Sequence, residues 1–161
     1  MSRVIWFLTG NNGKLNEATE FFAPLGYEVR QLQVNPDVII EPQSDNLNDV
    51  AISKIEQAMS HLPNSGNSED MILVEDAGLF IDSLEGFPGV YSSYIHKTIG
   101  CKGILRLLNH LRTEDSVRLA SLRSAEFRAV AVLCKQGEIF IGTGTCPGYI
   151  SEKIVEGNGF G

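Results

Sequence analysis

Thr9-Gly10-Asn11-Asn12-Gly13-Lys14 follows directly on the apolar run Val4-Ile5-Trp6-Phe7-Leu8, and a helical pattern begins at once. A strand that turns through a glycine-bearing loop into a helix N-terminus suits a phosphate. The helix offers unpaired N–H groups and the positive end of its dipole, and glycines let the backbone come close. Thr9 and Asn11 can hydrogen-bond phosphate oxygens, and Lys14 brings a full positive charge. The spacing is neither G-x-x-x-x-G-K-[ST] nor G-x-G-x-x-G. An ordinary strand-to-helix turn, with Asn and Gly in left-handed conformations, would use the same residues.

Glu75-Asp76 comes straight after the apolar Met71-Ile72-Leu73-Val74 and before Ala77-Gly78. Carboxylates at the C-terminal end of a strand, beside small residues, are placed to hold a metal or orient a water. Magnesium takes one or two protein carboxylates and leaves its other positions to water and phosphate oxygens. Glu41, in Val38-Ile39-Ile40-Glu41-Pro42, is the best second contributor, with a solvated loop acid as its plainer reading. Lys54 falls inside the apolar arc of Val50, Ala51, Ile55 and Ala58. A lysine there must snorkel out, pair with a carboxylate, or line a wet cleft facing phosphates. His61, His96 and His110 have no metal-ligand spacing, and His61 and His110 read as surface or packing residues. Arg128, within an apolar stretch, suits a sheet edge or an interface as well as a ligand contact.

These residues need a scaffold, and the pattern supplies one. Apolar periodicity predicts a helix from about Gly13 to Leu25, stopped by Gly26, then a strand over Tyr27–Val34. A second helix is expected over Leu47–Leu62, capped by Asp45 or Asn46, ended by Pro63, and buried through Leu47, Val50, Ala51, Ile55, Ala58, Met59 and Leu62. Asn64 to Asp70 reads as a surface loop, and Gly86 to Gly89 as a tight one. Beyond them lie a helix over Ile99–Leu111, built on Ile104, Leu107, Leu108 and Leu111, and strands over Val117–Leu122, Glu126–Cys134 and Glu138–Thr143. Lys135-Gln136-Gly137 forms a hairpin turn between the last two. Alternating strands and helices followed by a β-rich half indicate a mixed α/β fold with a long sheet.

At 161 residues, 43% hydrophobic and 20% charged, one globular domain is expected. A net charge of −7 argues against a nucleic-acid partner, though not against a free nucleotide neutralised by a divalent cation. Without a long apolar span or a signal-peptide pattern, no membrane partner and a cytoplasmic location are expected. Cys101, Cys134 and Cys146 are widely spaced and read as reduced thiols.

Taken in order, Thr9-Gly10-Asn11, Lys14 and Glu17, Glu41, Ala51 and Lys54, Val74-Glu75-Asp76-Ala77-Gly78-Leu79, Glu85-Gly86-Phe87-Pro88-Gly89-Val90-Tyr91-Ser92-Ser93 and Gly157-Asn158-Gly159-Phe160-Gly161 form a set. This set resembles the inosine/xanthosine triphosphate pyrophosphatases, the house-cleaning nucleotidases, and most closely their archaeal-type members. The resemblance covers essentially the whole chain. It implies an elongated, two-lobed α/β fold with substrate bound between the lobes, usually as a homodimer. It implies Mg2+-dependent cleavage of a purine nucleoside triphosphate between the α and β phosphates, with preference for ITP, dITP and XTP. By position, Thr9, Gly10, Asn11, Asn12, Gly13 and Lys14 would bind the triphosphate together with Lys54. Glu41 and Asp76 would hold the metal, and Asp76 would also act on the attacking water. Ala77 would make a backbone contact, and Phe160 would stack on the base.

Two departures accompany the match. Ala77 stands where many relatives carry Ser or Thr, and the sequence stops where relatives continue into a segment that reads the base. The expectation is therefore a single domain over 1–161 that lacks this segment. Alternatives are a nucleotide-binding fragment without catalysis and a septum-inhibitor-like nucleotide pyrophosphatase, against which the Gly-Phe-Pro-Gly-Val-Tyr-Ser segment speaks. A Rossmann-type binder of dinucleotides or phosphosugars is disfavoured by the loop spacing.

Overall fold

The computed structural model describes residues 3–35, 37–63 and 69–155. Its centre is a six-stranded sheet in the order β2-β1-β3-β5-β6, with the short β4 paired to β3. The strands are β1 (Arg3–Leu8), β2 (Tyr27–Gln31), β3 (Met71–Ile81), β4 (Pro88–Gly89), β5 (Ser124–Lys135) and β6 (Glu138–Tyr149). The helices are α1 (Asn12–Phe22), α2 (Leu47–Ala58), α3 (Ser92–Thr98), α4 (Gly100–Leu107) and α5 (Ser116–Leu122). Short 3-10 turns extend α1 through Leu25 and α2 through His61. Among the described residues, no helix is long and apolar enough to cross a membrane.

Two compact units divide the chain, one made of residues 1–76 and 130–143, the other of 77–129 and 144–161. In the first, β1 is parallel to β2 and to β3, with Phe7 opposite Gln31 and Leu8 opposite Val74 at the ends of the two ladders. Side chains alternate across a strand. Ile5, Phe7, Met71 and Leu73 therefore share one face, against which Leu15, Ala18 and Phe22 of α1 pack. The opposite face takes α2, whose Val50, Ala51, Ile55 and Ala58 are buried. In the second unit, Ile81, Ile104, Leu108 and Ala125 form the core. Arg123 is buried there and caps three carbonyls, donating to Ile150 at 2.7 Å, Leu108 at 3.0 Å and Ser151 at 2.9 Å.

Several expected elements change. Residues 117–122 form a helix, not a strand, because the Asp115 side chain accepts from the N–H groups of Val117 and Arg118 and nucleates α5. The helix expected over Ile99–Leu111 is the shorter α4, preceded by α3, which the sequence pattern did not announce; the two meet where Gly100 takes a left-handed φ of 62°, and Leu107 lies exposed. β2 stops at Gln31 instead of Val34, since β1 runs only one residue, Leu8, beyond the Phe7–Gln31 pair. β6 runs to Tyr149, not Thr143; as an edge strand it tolerates Pro147. In α2, Met59 falls outside the helix and is exposed. Residues 64–68 of the expected surface loop lie outside the described residues.

The most consequential change concerns β3. Glu75-Asp76 does not terminate a strand but sits in the middle of one eleven-residue strand. Beyond the β1 ladder β3 keeps β5 as a neighbour and gains β4: Leu79 pairs with Gly89 and Phe80 with Pro88. Gly78 makes this approach possible, as a Cβ there would stand 2.3 Å from the Gly89 carbonyl oxygen. Ser92 secures the junction, accepting from the Leu79 N–H at 2.8 Å and donating to Gly89 O at 2.6 Å. Arg128, left open by the sequence, pairs with Glu126 and lies over the Phe80 ring.

Candidate active site

β1 is where the sheet reverses direction of growth: the chain leaves it through α1 on one face to β2, and returns through α2 on the other face to β3. In open α/β sheets, ligands bind outside the carboxyl ends of the strands at such a switch point. The carboxyl end of β1 opens into Thr9–Lys14, and the β1–β3 ladder ends at Leu8 and Val74. Glu75 and Asp76 are thus the first residues of β3 beyond the end of β1. The sequence pattern ended β3 at Val74, where in fact only its ladder with β1 ends.

The loop is built by its own side chains. Asn11 is the N-cap of α1, with extended backbone (φ −102°, ψ 112°), and its Oδ1 accepts from Gly13 N–H at 2.8 Å and Lys14 N–H at 3.2 Å. Gly10 also lies outside the left-handed region, so the ordinary turn with left-handed Asn and Gly does not describe this loop. Capping consumes two of the helix N–H groups that a ligand could otherwise use. In exchange it commits the Asn11 oxygen inward, leaving an amide that can only donate. Thr9 is biased likewise, since its hydroxyl oxygen accepts from Asn11 N–H at 3.1 Å, which leaves the hydroxyl proton to donate. Gln31 Nε2 steadies the loop by donating to Thr9 O at 2.7 Å, a contact no sequence signal announced. The loop thereby presents donors, the polarity an anion requires.

Because Glu75 and Asp76 are neighbours in a strand, they point to opposite faces. Glu75 meets Lys14 of α1, with Nζ 3.1 Å from Oε1. Asp76 meets Lys54 of α2, with Nζ 2.8 Å from Oδ2. The Lys54 ammonium also lies 2.5 Å from Glu41 Oε1. Of the three fates open to Lys54, the structure shows carboxylate pairing. Lys54 and Asp76 are each less than a fifth exposed, whereas the Glu41 side chain is 60% exposed.

Burial sets the electrostatics of this cluster. It pushes the Asp76 carboxyl above the ordinary range; Lys54 opposes that shift without cancelling it, and Glu41 adds to it. Burial alone would favour neutral Lys54, but Asp76 and Glu41 together outweigh it and hold the ammonium above the usual lysine value. Asp76 Oδ2 is buried, and the Lys54 ammonium meets it at hydrogen-bond distance but in poor alignment. An under-satisfied buried carboxylate oxygen, with a second carboxylate on the same ammonium, fits a hard divalent cation. Among the described residues, no three His, Cys, Asp or Glu side chains form a metal cluster. Two carboxylates, with water and phosphate oxygens completing the shell, is the arrangement magnesium favours.

A model of the Ham1 family matches residues 5–161. The chain belongs to the Ham1 family. Among its relatives is the dITP/XTP pyrophosphatase of Hyperthermus butylicus, 38% identical over 160 residues, spanning 99% of this chain and 75% of the relative. The dITP/XTP pyrophosphatase of Pyrococcus horikoshii is 37% identical, spanning 98% and 75%. Among solved structures, the Ham1 protein of Staphylococcus aureus superposes with a TM-score of 0.72 at 27% identity, over 99% of this chain and 78% of that one. A HAM1 protein from Coxiella burnetii, 24% identical, gives the same TM-score and supports the fold. In this Ham1 chain the structure brings together Lys54, Glu41 and Asp76, and sets the Thr9–Lys14 loop beside the end of β1. Ala77 follows Asp76 in β3. Phe160 lies outside the described residues.

Proposed function

We propose that this chain is a nucleoside-triphosphate pyrophosphatase that cleaves deaminated purine nucleotides (ITP, dITP and XTP) between the α and β phosphates, giving a monophosphate and pyrophosphate. The observation that carries this reading is the convergence of a donor-presenting loop with two lysines and two metal-suited carboxylates at the switch point of a Ham1 chain. Its relatives' name, dITP/XTP pyrophosphatase, supplies the substrate class.

Thr9, Gly10, Asn11, Asn12, Gly13 and Lys14 would cradle the phosphates, with Lys54 supplying a second cation. Glu41 and Asp76 would hold Mg2+, which when bound neutralises phosphate charge and polarises the phosphorus. Phosphoryl transfer asks for positioning and charge neutralisation, and no side-chain nucleophile is required. Asp76, a buried carboxylate at the carboxyl end of the β1–β3 ladder, is suited to orient the attacking water. Phe160 would stack on the base. A homodimer belongs to the same reading and is tested by sedimentation.

Incubating the 161-residue chain with ITP and Mg2+, and resolving pyrophosphate from orthophosphate, tests the reaction. IMP with pyrophosphate supports it. IDP with orthophosphate overturns the regiochemistry. Absence of product, with ITP still raising the melting temperature, would favour a binding fragment over an enzyme.

A further inference from the structure

Glu41 is an exposed residue of a segment without regular secondary structure, so its own burial does not fix its place. The segment is nevertheless attached to α2 beside it. Gln57 Oε1 accepts from the Ile40 N–H at 2.8 Å, and Gln57 Nε2 donates to Ile40 O at 2.8 Å. The carboxamide grips both polar groups of one residue, as a neighbouring strand would. The other Nε2 proton is shared between Ser53 O at 3.1 Å and Ser53 Oγ at 3.2 Å, one turn back in α2, which holds the amide in place. Gln57 lies three residues after Lys54, on the same side of the helix. The residue next to the gripped peptide is the one whose carboxylate reaches Lys54.

We propose that Gln57 is a positioning residue that sets Glu41 beside Asp76 for the divalent cation. The proposal rests on reading Glu41 as a metal ligand. Only a side chain carrying both a donor and an acceptor can hold the Ile40 peptide from both ends, so an apolar replacement of similar length loses the whole grip. Outer groups that orient metal ligands typically change metal affinity 10- to 100-fold when removed.

Gln57→Met and Gln57→Leu, each alone and combined with Glu41→Gln, test this in the full chain. The expected single-variant result is a roughly 10- to 100-fold rise in half-saturating Mg2+ for ITP hydrolysis, with kcat at saturating Mg2+ falling less than threefold. Mn2+ binding followed by electron paramagnetic resonance should weaken by the same factor, and the Ile40 amide should exchange its hydrogen faster. In the Glu41→Gln background, Gln57→Met should change Mn2+ binding no further. Unchanged metal dependence in both Gln57 variants would overturn the proposal, as would an equal loss with and without Glu41, which would mark Gln57 as a general anchor. If Glu41→Gln alone left Mn2+ binding and Mg2+ dependence intact, the ligand reading of Glu41 would fall, and the proposal with it.

Discussion

Replacing Gly10 by alanine should raise stability and weaken triphosphate binding together, a pair of opposite signs that few substitutions produce. A Cβ at this position meets no heavy atom within 4 Å, and the backbone is outside the left-handed region. The folded state therefore has room for the methyl group, while the unfolded chain loses freedom, a gain of about 0.4–1 kcal/mol. For a protein of this length that is a rise in Tm of roughly 1–4 °C. The same methyl group would stand between the loop backbone and an incoming phosphate. Losing one hydrogen bond to a charged group costs about 1.5–3 kcal/mol, a 10- to 150-fold weaker Kd. Differential scanning calorimetry reads the first effect. Calorimetric titration of ITP into Asp76→Asn protein, with and without Gly10→Ala, reads the second while suppressing turnover. A fall in Tm would show that Gly10 serves packing. Unchanged ITP affinity would refute the loop as the phosphate cradle.

Asp76→Asn should lose hydrolysis while largely retaining ITP binding, and it carries a stability signature with a definite sign. The folded carboxyl holds its proton more tightly than the unfolded one, so its ionisation opposes folding. Wild type and variant should melt alike below the ordinary carboxylate range, and the variant should gain as pH rises through the raised value, then hold its advantage to neutrality. A wild type more stable at pH 7 would mean that the Lys54 attraction outweighs burial. Asp115→Ala removes the cap of α5 and should cost about 1 kcal/mol, lowering Tm by roughly 2–4 °C with hydrolysis unchanged. Gly78→Ala would press a methyl group onto Gly89 O; a loss of about 3 kcal/mol is expected in urea unfolding, and a neutral result would show that β4 can move away.

Long periodic stretches were legible: α1 and α2 announce themselves over three turns each, and the misplaced charge of Lys54 within an apolar arc pointed to a carboxylate partner as one of three outcomes. Short stretches were not. In Val117–Leu122 six residues satisfy a strand alternation as well as a helix turn, and the decision came from the Asp115 cap. The polar pair Glu75-Asp76 resembled the end of a strand because the partners of β3 beyond it, in β4 and β5, are brought in by tertiary structure. The Lys14–Glu75 pair and the Gln57 grip on Ile40 were invisible for the same reason: each joins residues far apart in sequence, and composition carries no signal of which acid a lysine meets.

The pleat of β3 has a consequence for how this chain can change length. Glu75 and Asp76 reach different helices because they occupy alternate faces, and that alternation counts residues from the β1–β3 register at Met71–Val74. Deleting a single residue there would exchange the two acids between faces, sending each toward the other's lysine with the wrong reach, while keeping the reading frame and the composition. A residue added to the irregular stretch before Glu41 disturbs no such parity. Tolerance to insertion and deletion should therefore drop abruptly at β3, as a deep scan of single-codon deletions would reveal.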